Sequence, residues 1–259
     1  MRPGSVMRIA VVSLFPVMLG EALMHGVLGR AIERSVLEVE CIDPRDFATD
    51  VHRTVDDRPY GGGPGMVLKV EPLRSAMRAA GASMPAGSRR VYLGADGRRF
   101  EQSMAREAAC WPGLILVAGR YEGVDERFIE AEIDEVWSIG DYVLTGGELP
   151  ALVVIDAIGR LLPGALGSPE SAVQESFTGD LVDWPHYTRP PTIDGRAVPA
   201  VLSSGDHAAI ERWRLQQALG RTWLRRPELL ERRGMSDEER TLLEEFKIER
   251  ARAHESSRR

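Results

Sequence analysis

The stretch "GLILVAGRYEGVDERFIEAEIDEVWSIG", residues 113–140, decides the fold class. It begins with an uncharged apolar run, which predicts a buried strand, and continues into a glycine-containing loop. Residues 125–133 predict a helix, and residues 134–140 predict the next strand. Two strands joined through a helix belong to a parallel sheet, because a parallel pair needs a crossover connection. The sequence therefore predicts an α/β fold.

The same alternation continues on both sides of this stretch. Further strands are predicted at 8–14, 37–42 and 89–94, and further helices at 21–35, 71–81, 101–109 and 149–162. In parallel sheets, ligands bind beyond the carboxyl ends of the strands. Three glycine-containing loops, 92–100, 118–127 and 138–150, follow predicted strands. We therefore expect these loops to line one binding edge.

The composition is that of an ordinary globular protein. Of 259 residues, 43% are hydrophobic and 28% charged, which excludes disorder on a large scale. The net charge of −6 argues against nonspecific coating of nucleic acid, although it is compatible with a local basic patch. Cys41 and Cys110 are too few for a disulfide framework or a four-cysteine zinc site, and they fit a reducing compartment. With no signal peptide predicted and no apolar run near the ~20 residues of a membrane span, we expect a cytoplasmic protein without a membrane partner.

The character of the chain changes after Pro163. Residues 163–180 are rich in glycine, serine and proline, as in a linker or mobile loop. Two helices are predicted beyond it, 204–234 with Asp206 as N-cap and 236–253 with Ser236 and Glu239 spaced as a capping box. The predicted parts are an α/β domain over 1–166, a flexible linker over 167–187 and a helical domain over 188–259.

The helical part carries a local excess of positive charge. Residues 188–233 contain nine arginines against five acidic residues, and Trp213 and Trp223 lie among them. A basic stretch with interleaved aromatic residues fits contact with a nucleic-acid backbone. We therefore expect this stretch to meet RNA.

The glycine loops indicate a particular kind of ligand. Taken singly, each loop is read as a tight turn in which glycine supplies a positive φ, but together they bring backbone donors and acceptors to one pocket. None has the GxGxxG or GxxxxGK[ST] pattern, so a ligand with an adenine ring and few phosphates fits better than a nucleoside triphosphate. The loop "DRPYGGGPGM" (57–66) first suggests a phosphate cradle, but it lacks the lysine and Ser/Thr of phosphate loops.

Four charged side chains are candidates for chemistry, each with a plainer alternative. Glu122 and Asp141, inside the glycine loops, are either solvated or bind an ammonium group or a ribose hydroxyl. Arg160, on an apolar helix, takes part either in a structural ion pair or in function. Glu175, in the linker, is either a solvated acid or a group that folds over a ligand. The histidines lack the pair spacings of a metal site, so no metal site is predicted.

Six motifs occur in order along the chain. They are "DDRPYGGGPGM" (56–66), "GRYEGVDER" (119–127), "SIGDYVLTGGELPA" (138–151), "LLPGALG" (161–167), "DWPHYTRP" (183–190) and "HAAIERWR" (207–214). Together they closely resemble bacterial tRNA (guanine-N1)-methyltransferases of the TrmD type, from about Met7 to about residue 245. One motif could arise by chance, whereas six in the family's order are highly specific.

The resemblance implies an S-adenosylmethionine enzyme of the SPOUT class. Its parallel-sheet domain would contain a C-terminal deep trefoil knot and be followed by a small, mainly helical domain. It would be a homodimer with shared active sites that methylates guanine N1 at tRNA position 37, next to the anticodon, when a guanine precedes it. The implied cofactor pocket comprises Tyr92, Leu93, Gly119, Glu122, Ile139, Gly140, Asp141, Tyr142, Val143, Leu144, Gly146 and Gly147. The implied tRNA and guanine contacts are Asp56, Pro64, Gly65, Arg189, His207 and Arg214.

The resemblance also implies two catalytic residues. Guanine N1 carries a proton and is a poor nucleophile until a positioned base removes it. Glu175 occupies the position of that base, where the family has aspartate, and Arg160 would stabilise the negative charge that develops on O6. Ala95 and Asp96 also depart from the family's usual proline and glutamine. Mg²⁺ is a further cofactor that the family suggests, and the sequence identifies no site for it.

Two other functions stay open at this point. A noncatalytic RNA-binding protein on the same fold is motivated by the replacement of aspartate at Glu175, and it would not need to bind S-adenosylmethionine. An enzyme that binds a phosphorylated metabolite through the loop 61–65 would show no dependence on tRNA. Calorimetry with S-adenosylmethionine and a tRNA-dependence assay separate these from the methyltransferase.

Overall fold

The computed structural model describes residues 6–167 and 176–256 of the chain. The chain forms two compact units, Met1–Pro169 and Glu170–Arg259. The first contains a central sheet with two apolar cores, and the second is mainly helical with a smaller core of its own.

Parallel strands form the centre of the first unit. Its strands are β1 (Met7–Val12), β2 (Leu37–Ile42), β3 (Asp56–Asp57), β4 (Val67–Leu68), β5 (Arg89–Arg99), β6 (Gly113–Ala118) and β7 (Glu135–Ser138). Five of them form a sheet in the order β2-β1-β6-β5-β7, and each neighbouring pair is parallel. The predicted α/β fold with a largely parallel sheet is confirmed.

Helices cover both faces of this sheet. They are α1 (Pro16–Leu23), α2 (Gly26–Glu33), α3 (Val70–Ser83), α4 (Gln102–Ala108), α5 (Glu126–Glu132) and α6 (Glu148–Gly159). Strand β6 is buried along its whole length. Leu114 and Leu116 belong to the core shared with α1, α2, α4 and α6, whereas Ile115 and Val117 belong to the core shared with α3 and α5. The uncharged run therefore reads as a strand because helices bury both of its faces.

The prediction of one helix over 21–35 is wrong. The chain forms α1 and α2 instead, with a break at Met24 and His25. Gly26 after the break has a φ of +67°, a conformation that glycine adopts without strain. A Cβ at Gly29 would lie 2.6 Å from the carbonyl carbon of Met24, so the turn between the helices also leaves no room for a side chain there.

The predicted end of a helix at Gly81 is also wrong. Helix α3 continues to Ser83. A glycine costs a helix only about 1 kcal/mol relative to alanine, and Ala80 beside it is fully buried in the core. Packing of this helix therefore outweighs the weak propensity of one glycine.

A short antiparallel hairpin, absent from the sequence prediction, carries the glycine-rich loop. Strands β3 and β4 pair through two residues each, with the loop 58–66 between them. The glycines at 61, 62, 63 and 65 all have positive φ. This loop, called the GGGPG hairpin loop below, therefore adopts a backbone path that other residues would follow only under strain.

The described part of the second unit, residues 176–256, is built on three α-helices. They are α7 (His207–Arg225), α8 (Pro227–Arg233) and α9 (Asp237–Ser256), preceded by a small hairpin of β8 (Thr192–Ile193) and β9 (Arg196–Ala197). The single helix predicted over 204–234 is wrong, because Pro227 excludes helical geometry at Arg226 and divides α7 from α8. Both predicted caps are confirmed. Asp206 accepts a hydrogen bond from the Ala209 N–H at 3.0 Å, and the Ser236 and Glu239 side chains accept from each other's N–H groups.

Candidate active site

Three glycine loops meet at the carboxyl edge of β5, β6 and β7 and line one cavity of about 220 Å³. Eleven of the twelve residues of the implied cofactor pocket line it. They are Tyr92, Leu93, Gly119, Glu122, Ile139, Gly140, Tyr142, Val143, Leu144, Gly146 and Gly147. Asp141, the twelfth, is exposed and lies outside the lining. The structure thus brings residues from three separate parts of the sequence to one place.

The first loop is an excursion within a strand and does not lead into a helix. Leu93 and Arg98 of β5 both pair with Trp137 of β7. Residues 94–97 are therefore an insertion in β5 that has no counterpart in β7. The predicted end of this strand at 94 is therefore wrong. A Cβ at Gly97 would lie 2.6 Å from the backbone N of Trp137, which explains how the strand resumes so close to its neighbour. The excursion presents Gly94 and Ala95 to the cavity.

Backbone hydrogen bonds fix the second loop, residues 119–123, from two sides. On one side the Glu122 N–H donates to the Met66 carbonyl at 3.0 Å, and the Leu68 N–H donates to the Gly123 carbonyl at 3.0 Å. On the other side the Gly147 N–H donates to the Gly119 carbonyl at 2.8 Å. The GGGPG hairpin loop and the two later glycine loops are therefore parts of one backbone-bonded frame.

At three positions of the cavity a glycine is needed because neighbouring atoms lie close to its Cα. A Cβ at Gly119 would lie 2.7 Å from the Tyr92 hydroxyl oxygen, and one at Gly147 would lie 2.6 Å from Cα of Ala118. A Cβ at Gly146 would lie 2.6 Å from both Cδ of Arg120 and Oε2 of Glu148. None of these three positions accepts even a methyl group without a shift of its neighbours.

The Tyr92 side chain forms an apolar wall with a polar tip. The residue is 8% exposed, and burial raises the pKa of its hydroxyl, with Asp96 and Glu126 adding to the effect. The hydroxyl therefore stays protonated and remains a hydrogen-bond donor at neutral pH. Tyr121, on the opposite loop, also lines the cavity and has a φ of +60°, which is unusual for a residue with a side chain. Its position follows from the turn of loop 119–123 and was not predicted.

A buried ion pair lies beneath this cavity. The Arg120 Nε donates to Glu148 Oε2 at 2.9 Å, and the Ser13 hydroxyl donates to Glu148 Oε1 at 2.8 Å. Glu148 is 1% exposed. The sequence assigned no role to Arg120, Glu148 or Ser13. An acid in the first turn of a strongly apolar helix is the one signal that pointed to Glu148.

The chain is similar to known proteins over most of its length. A family model described as tRNA (guanine-1)-methyltransferase TrmD matches residues 7–232. The chain belongs to the TrmD family. Proteins named tRNA (guanine-N(1)-)-methyltransferase from Methylococcus capsulatus, Chromohalobacter salexigens and Coxiella burnetii are 62%, 59% and 58% identical to it. The matches cover 94%, 95% and 92% of this chain and 97%, 94% and 96% of the three relatives.

Of the two residues that the TrmD resemblance marks as catalytic, the structure describes Arg160, which does not line this cavity. Glu175 falls outside the residues that the structure describes. Arg160 follows the last residue of α6, where its N–H donates to the Asp156 carbonyl at 3.2 Å. Twelve residues of α6 separate it from Gly147, which is about 18 Å at 1.5 Å per residue. Arg160 therefore lies at the opposite edge of the sheet from the cavity of its own chain.

The implied substrate residues of this TrmD-family chain fall in both units. Asp56 lies in β3, and Pro64 and Gly65 lie in the exposed GGGPG hairpin loop. A Cβ at Gly65 would lie 2.5 Å from Cγ of Glu122, so this loop contacts a side chain of the cavity directly. The hairpin loop and the cavity are thus adjacent sites.

The remaining implied contacts lie in the second unit. Arg189 and His207 are exposed, and Arg214 forms an ion pair with Glu211 at 2.7 Å. The Arg214 guanidinium also lies over the Trp184 ring, 4.9 Å from its centroid. Its Nε is buried and has no hydrogen-bond partner among the described residues. An aromatic ring and a partly unsatisfied cation side by side are typical of a surface that binds nucleic acid.

Across 6–167 and 176–256, no helix is both long and apolar enough to cross a membrane. In the same residues, no group of three or more His, Cys, Asp and Glu side chains is placed to hold a metal ion.

Proposed function

We propose that this protein is a tRNA (guanine-N1)-methyltransferase that transfers a methyl group from S-adenosylmethionine to N1 of the guanine at tRNA position 37. Membership of the TrmD family over most of the chain supports the reaction. The observation that carries the proposal is the convergence of eleven implied cofactor residues on one cavity. The convergence of residues so distant in sequence supports a retained binding site of the family.

The cavity suits a cofactor with an adenine ring and a charged amino acid end. Six of its twenty lining residues are glycines, and Tyr92 and Leu93 contribute apolar surface. Glu122 is the acid that lines it, and a carboxylate there would bind the cofactor's ammonium group. Asp141, outside the lining, would contact the cofactor only through a shift of loop 138–147. The cofactor supplies the methyl group as a sulfonium.

We further propose that the cofactor loops form the deep trefoil knot of the SPOUT class. Two contacts support it. Strand β7 pairs with β5, and the chain then returns beside β6 through the hydrogen bond from Gly147 to Gly119. The proposed domains are a knotted cofactor-binding domain over 1–166, a linker over 167–187 and a tRNA-binding domain over 188–259. The division into two compact units is compatible with these boundaries.

In the proposed mechanism Glu175 acts as the base. Its carboxylate accepts the N1 proton of guanine, and the guanidinium of Arg160 stabilises the negative charge that moves to O6 as the proton leaves. Glutamate at 175 keeps the carboxylate of the family's aspartate but adds one methylene. The linker backbone must then lie about one bond length further from guanine N1 than it would with aspartate, because misplacing the carboxylate by ~1 Å is costly to catalysis.

The position of Arg160 supports the proposed homodimer with shared active sites. About 18 Å from the cavity wall of its own chain, Arg160 can serve only a cavity of a second protomer. An apolar surface for that protomer exists on α1 and α6, which pack against each other. Val17 of α1 and Met24 directly after it are 70% and 73% exposed, and Leu149 and Val153 of α6 are 48% and 47% exposed. Because α1 and α6 are neighbours, these side chains form the kind of exposed apolar patch that marks an interaction site.

The second unit is the proposed tRNA-binding part. Its basic stretch and the pair of Arg214 with Trp184 provide phosphate and stacking contacts. The GGGPG hairpin loop would hold the target guanine beside the cavity.

The location and the metal follow from the proposed substrate. A tRNA substrate and the two-cysteine composition favour the cytoplasm. Any Mg²⁺ would be bound together with tRNA.

The decisive experiment uses labelled S-adenosylmethionine and an unmodified tRNA transcript with guanine at positions 36 and 37. We expect label at N1 of guanine 37 and none in a transcript with adenine at 37. A protein that incorporates no label into the first transcript would refute the proposal. Glu175→Gln should abolish turnover while cofactor binding persists, and Asp180→Asn, the same change at another acid of the linker, should leave turnover unchanged.

A further inference from the structure

Glu148 is unusual among the charged residues of this protein. Within residues 6–167 and 176–256 it is the one charged residue that is buried, with 1% of its surface exposed. A carboxylate in such a place is costly unless every lone pair has a strong partner. Its environment therefore has to supply those partners.

Both carboxylate oxygens of Glu148 are used. Oε2 accepts from Arg120 Nε at 2.9 Å, and Oε1 accepts from the Ser13 hydroxyl at 2.8 Å. The Ser13 oxygen in turn accepts from the Phe15 N–H at 2.9 Å. We call Ser13, Arg120 and Glu148 the Glu148 cluster. Its members come from the ends of β1 and β6 and from the first turn of α6, so it joins three elements of the fold.

Arg120 extends this cluster to the walls of the cavity. Its Nη1 donates to the Thr145 carbonyl at 3.1 Å, and its guanidinium lies over the Phe15 ring at 4.3 Å from the centroid. One guanidinium therefore holds loop 119–123, from which it projects, against loop 138–147. Gly146 leaves the space that the pair fills, because a Cβ there would lie 2.6 Å from both side chains.

We propose that the Glu148 cluster is a positioning latch that sets the separation of the two cavity walls and so determines cofactor affinity. This inference rests on the proposed function for the identity of the cofactor. Glu148 does not face the cavity, whereas Arg120 lines it and carries the constraint to Thr145. The latch acts through geometry, since Arg120 projects from loop 119–123 and bonds the backbone of loop 138–147.

The chemistry of the latch makes it sensitive to a nearly isosteric change. Glu148→Gln keeps the size of the side chain but removes its charge and leaves a single acceptor oxygen, so Arg120 loses its ion pair and Ser13 must either lose its bond or accept from the amide. Arg120→Lys keeps the charge but lacks the fork that bonds Glu148 and Thr145 at the same time. Glu148→Gln should loosen the walls without changing a side chain that lines the cavity, and Arg120→Lys should loosen them while keeping the positive charge in the lining.

The test measures cofactor binding by calorimetry and backbone opening by amide hydrogen exchange without cofactor. For Glu148→Gln and Arg120→Lys we expect the dissociation constant for S-adenosylmethionine to rise about tenfold or more, because one hydrogen bond to a charged group contributes at least that factor. Exchange of the Gly147 amide, which is bonded to Gly119, should accelerate by a similar factor. Turnover at saturating cofactor should change less than affinity.

Controls separate the latch from general stability. Glu132→Gln removes the half-buried partner of Arg74, 2.9 Å away and outside the cavity, and should change neither measurement. The double variant Arg120→Met with Glu148→Leu replaces the buried pair by apolar groups and should recover folding stability, but its affinity should stay low. Recovery of affinity in that variant would overturn the latch.

The outcomes also distinguish this inference from the proposed function. If the wild-type protein binds S-adenosylmethionine and Glu148→Gln binds it equally well, the latch is refuted and the proposed function stands. If the wild type binds no S-adenosylmethionine, the proposed function fails, and the exchange of Gly147 still decides whether the latch holds the walls. In that case, an exchange rate of the Gly147 amide that is the same in Glu148→Gln as in the wild type refutes the latch.

Discussion

Gly65 and Gly61 form a natural pair for testing how the GGGPG hairpin loop is coupled to the cavity. Their φ angles are +84° and +86°, so alanine meets the same backbone strain at both positions. At Gly61 a Cβ would have nothing within 4 Å, whereas at Gly65 it would lie 2.5 Å from Cγ and 2.7 Å from Cδ of Glu122. Any difference between Gly65→Ala and Gly61→Ala in the free energy of unfolding or in cofactor affinity therefore measures the displacement of Glu122.

The magnitudes follow from these two effects. The left-handed conformation costs an alanine roughly 1–2 kcal/mol, offset in part by the lower entropy of its unfolded chain. We expect Gly61→Ala to lower the free energy of unfolding by about 1 kcal/mol. Gly65→Ala should lose about 1 kcal/mol more, because Glu122 must leave its rotamer or move its backbone. In a Glu122→Ala background this extra loss should disappear.

The same pair tests binding. Displaced from the cavity, Glu122 can no longer reach the cofactor's ammonium group, and loss of such a charge-assisted bond should raise the dissociation constant for S-adenosylmethionine about tenfold. From sequence alone, Gly65 substitutions are expected to impair tRNA turnover more than cofactor affinity; the contact with Glu122 predicts that both are impaired. Urea unfolding and calorimetry make the comparison. Equal unfolding free energies and equal cofactor affinities for the two alanine variants would refute the reasoning.

Three further predictions concern other parts of the molecule. Iodoacetamide at pH 8 should modify exposed Cys110 long before Cys41, because burial and the neighbouring Glu40 raise the pKa of Cys41 to about 11; equal rates by mass spectrometry would contradict this. Leu149→Glu should convert the proposed dimer to monomer in size-exclusion chromatography with light scattering, since it places a charge on the exposed apolar face of α6, and an unchanged mass would exclude that face as the interface. Affinity for tRNA should fall steeply with salt, and Arg189→Ala should reduce the slope of log K against log salt by about 1; a slope equal to that of the wild type would remove Arg189 from the phosphate contacts.

The central sheet could be predicted from sequence because its signals are local. Strand β6 is an uninterrupted apolar run, and the helices beside it have regular spacing and turn residues. The errors occurred where tertiary packing overrode a local signal. Gly81 is typical of a helix end, yet α3 continues past it because the neighbouring Ala80 is buried in the core. Gly94 reads as a strand end, yet β5 resumes after four residues because β7 offers a second set of partners at Trp137.

The site shows a similar limit. The implied cofactor residues could be named because they lie within contiguous motifs, and the structure places eleven of twelve in one cavity. Glu148 stands inside one of those motifs and was still missed. Its role depends on Ser13 and Arg120, which lie 135 and 28 residues away, and no local pattern shows that they converge. Nor does sequence show that the length of α6 carries Arg160 away from the cavity of its own chain.

The glycine frame of the cavity has a consequence for inhibitors that compete with the cofactor. A protein often escapes a competitive inhibitor by enlarging one side chain so that the pocket narrows. At Gly119, Gly146 and Gly147 that route is closed, because a single added methyl would collide with Tyr92, with the Arg120–Glu148 pair or with the backbone of β6. Resistance would have to arise in the side chains that project into the cavity or outside it. An inhibitor that gains its affinity from contacts with these three glycines would therefore bind the part of the cavity in which substitutions are least tolerated.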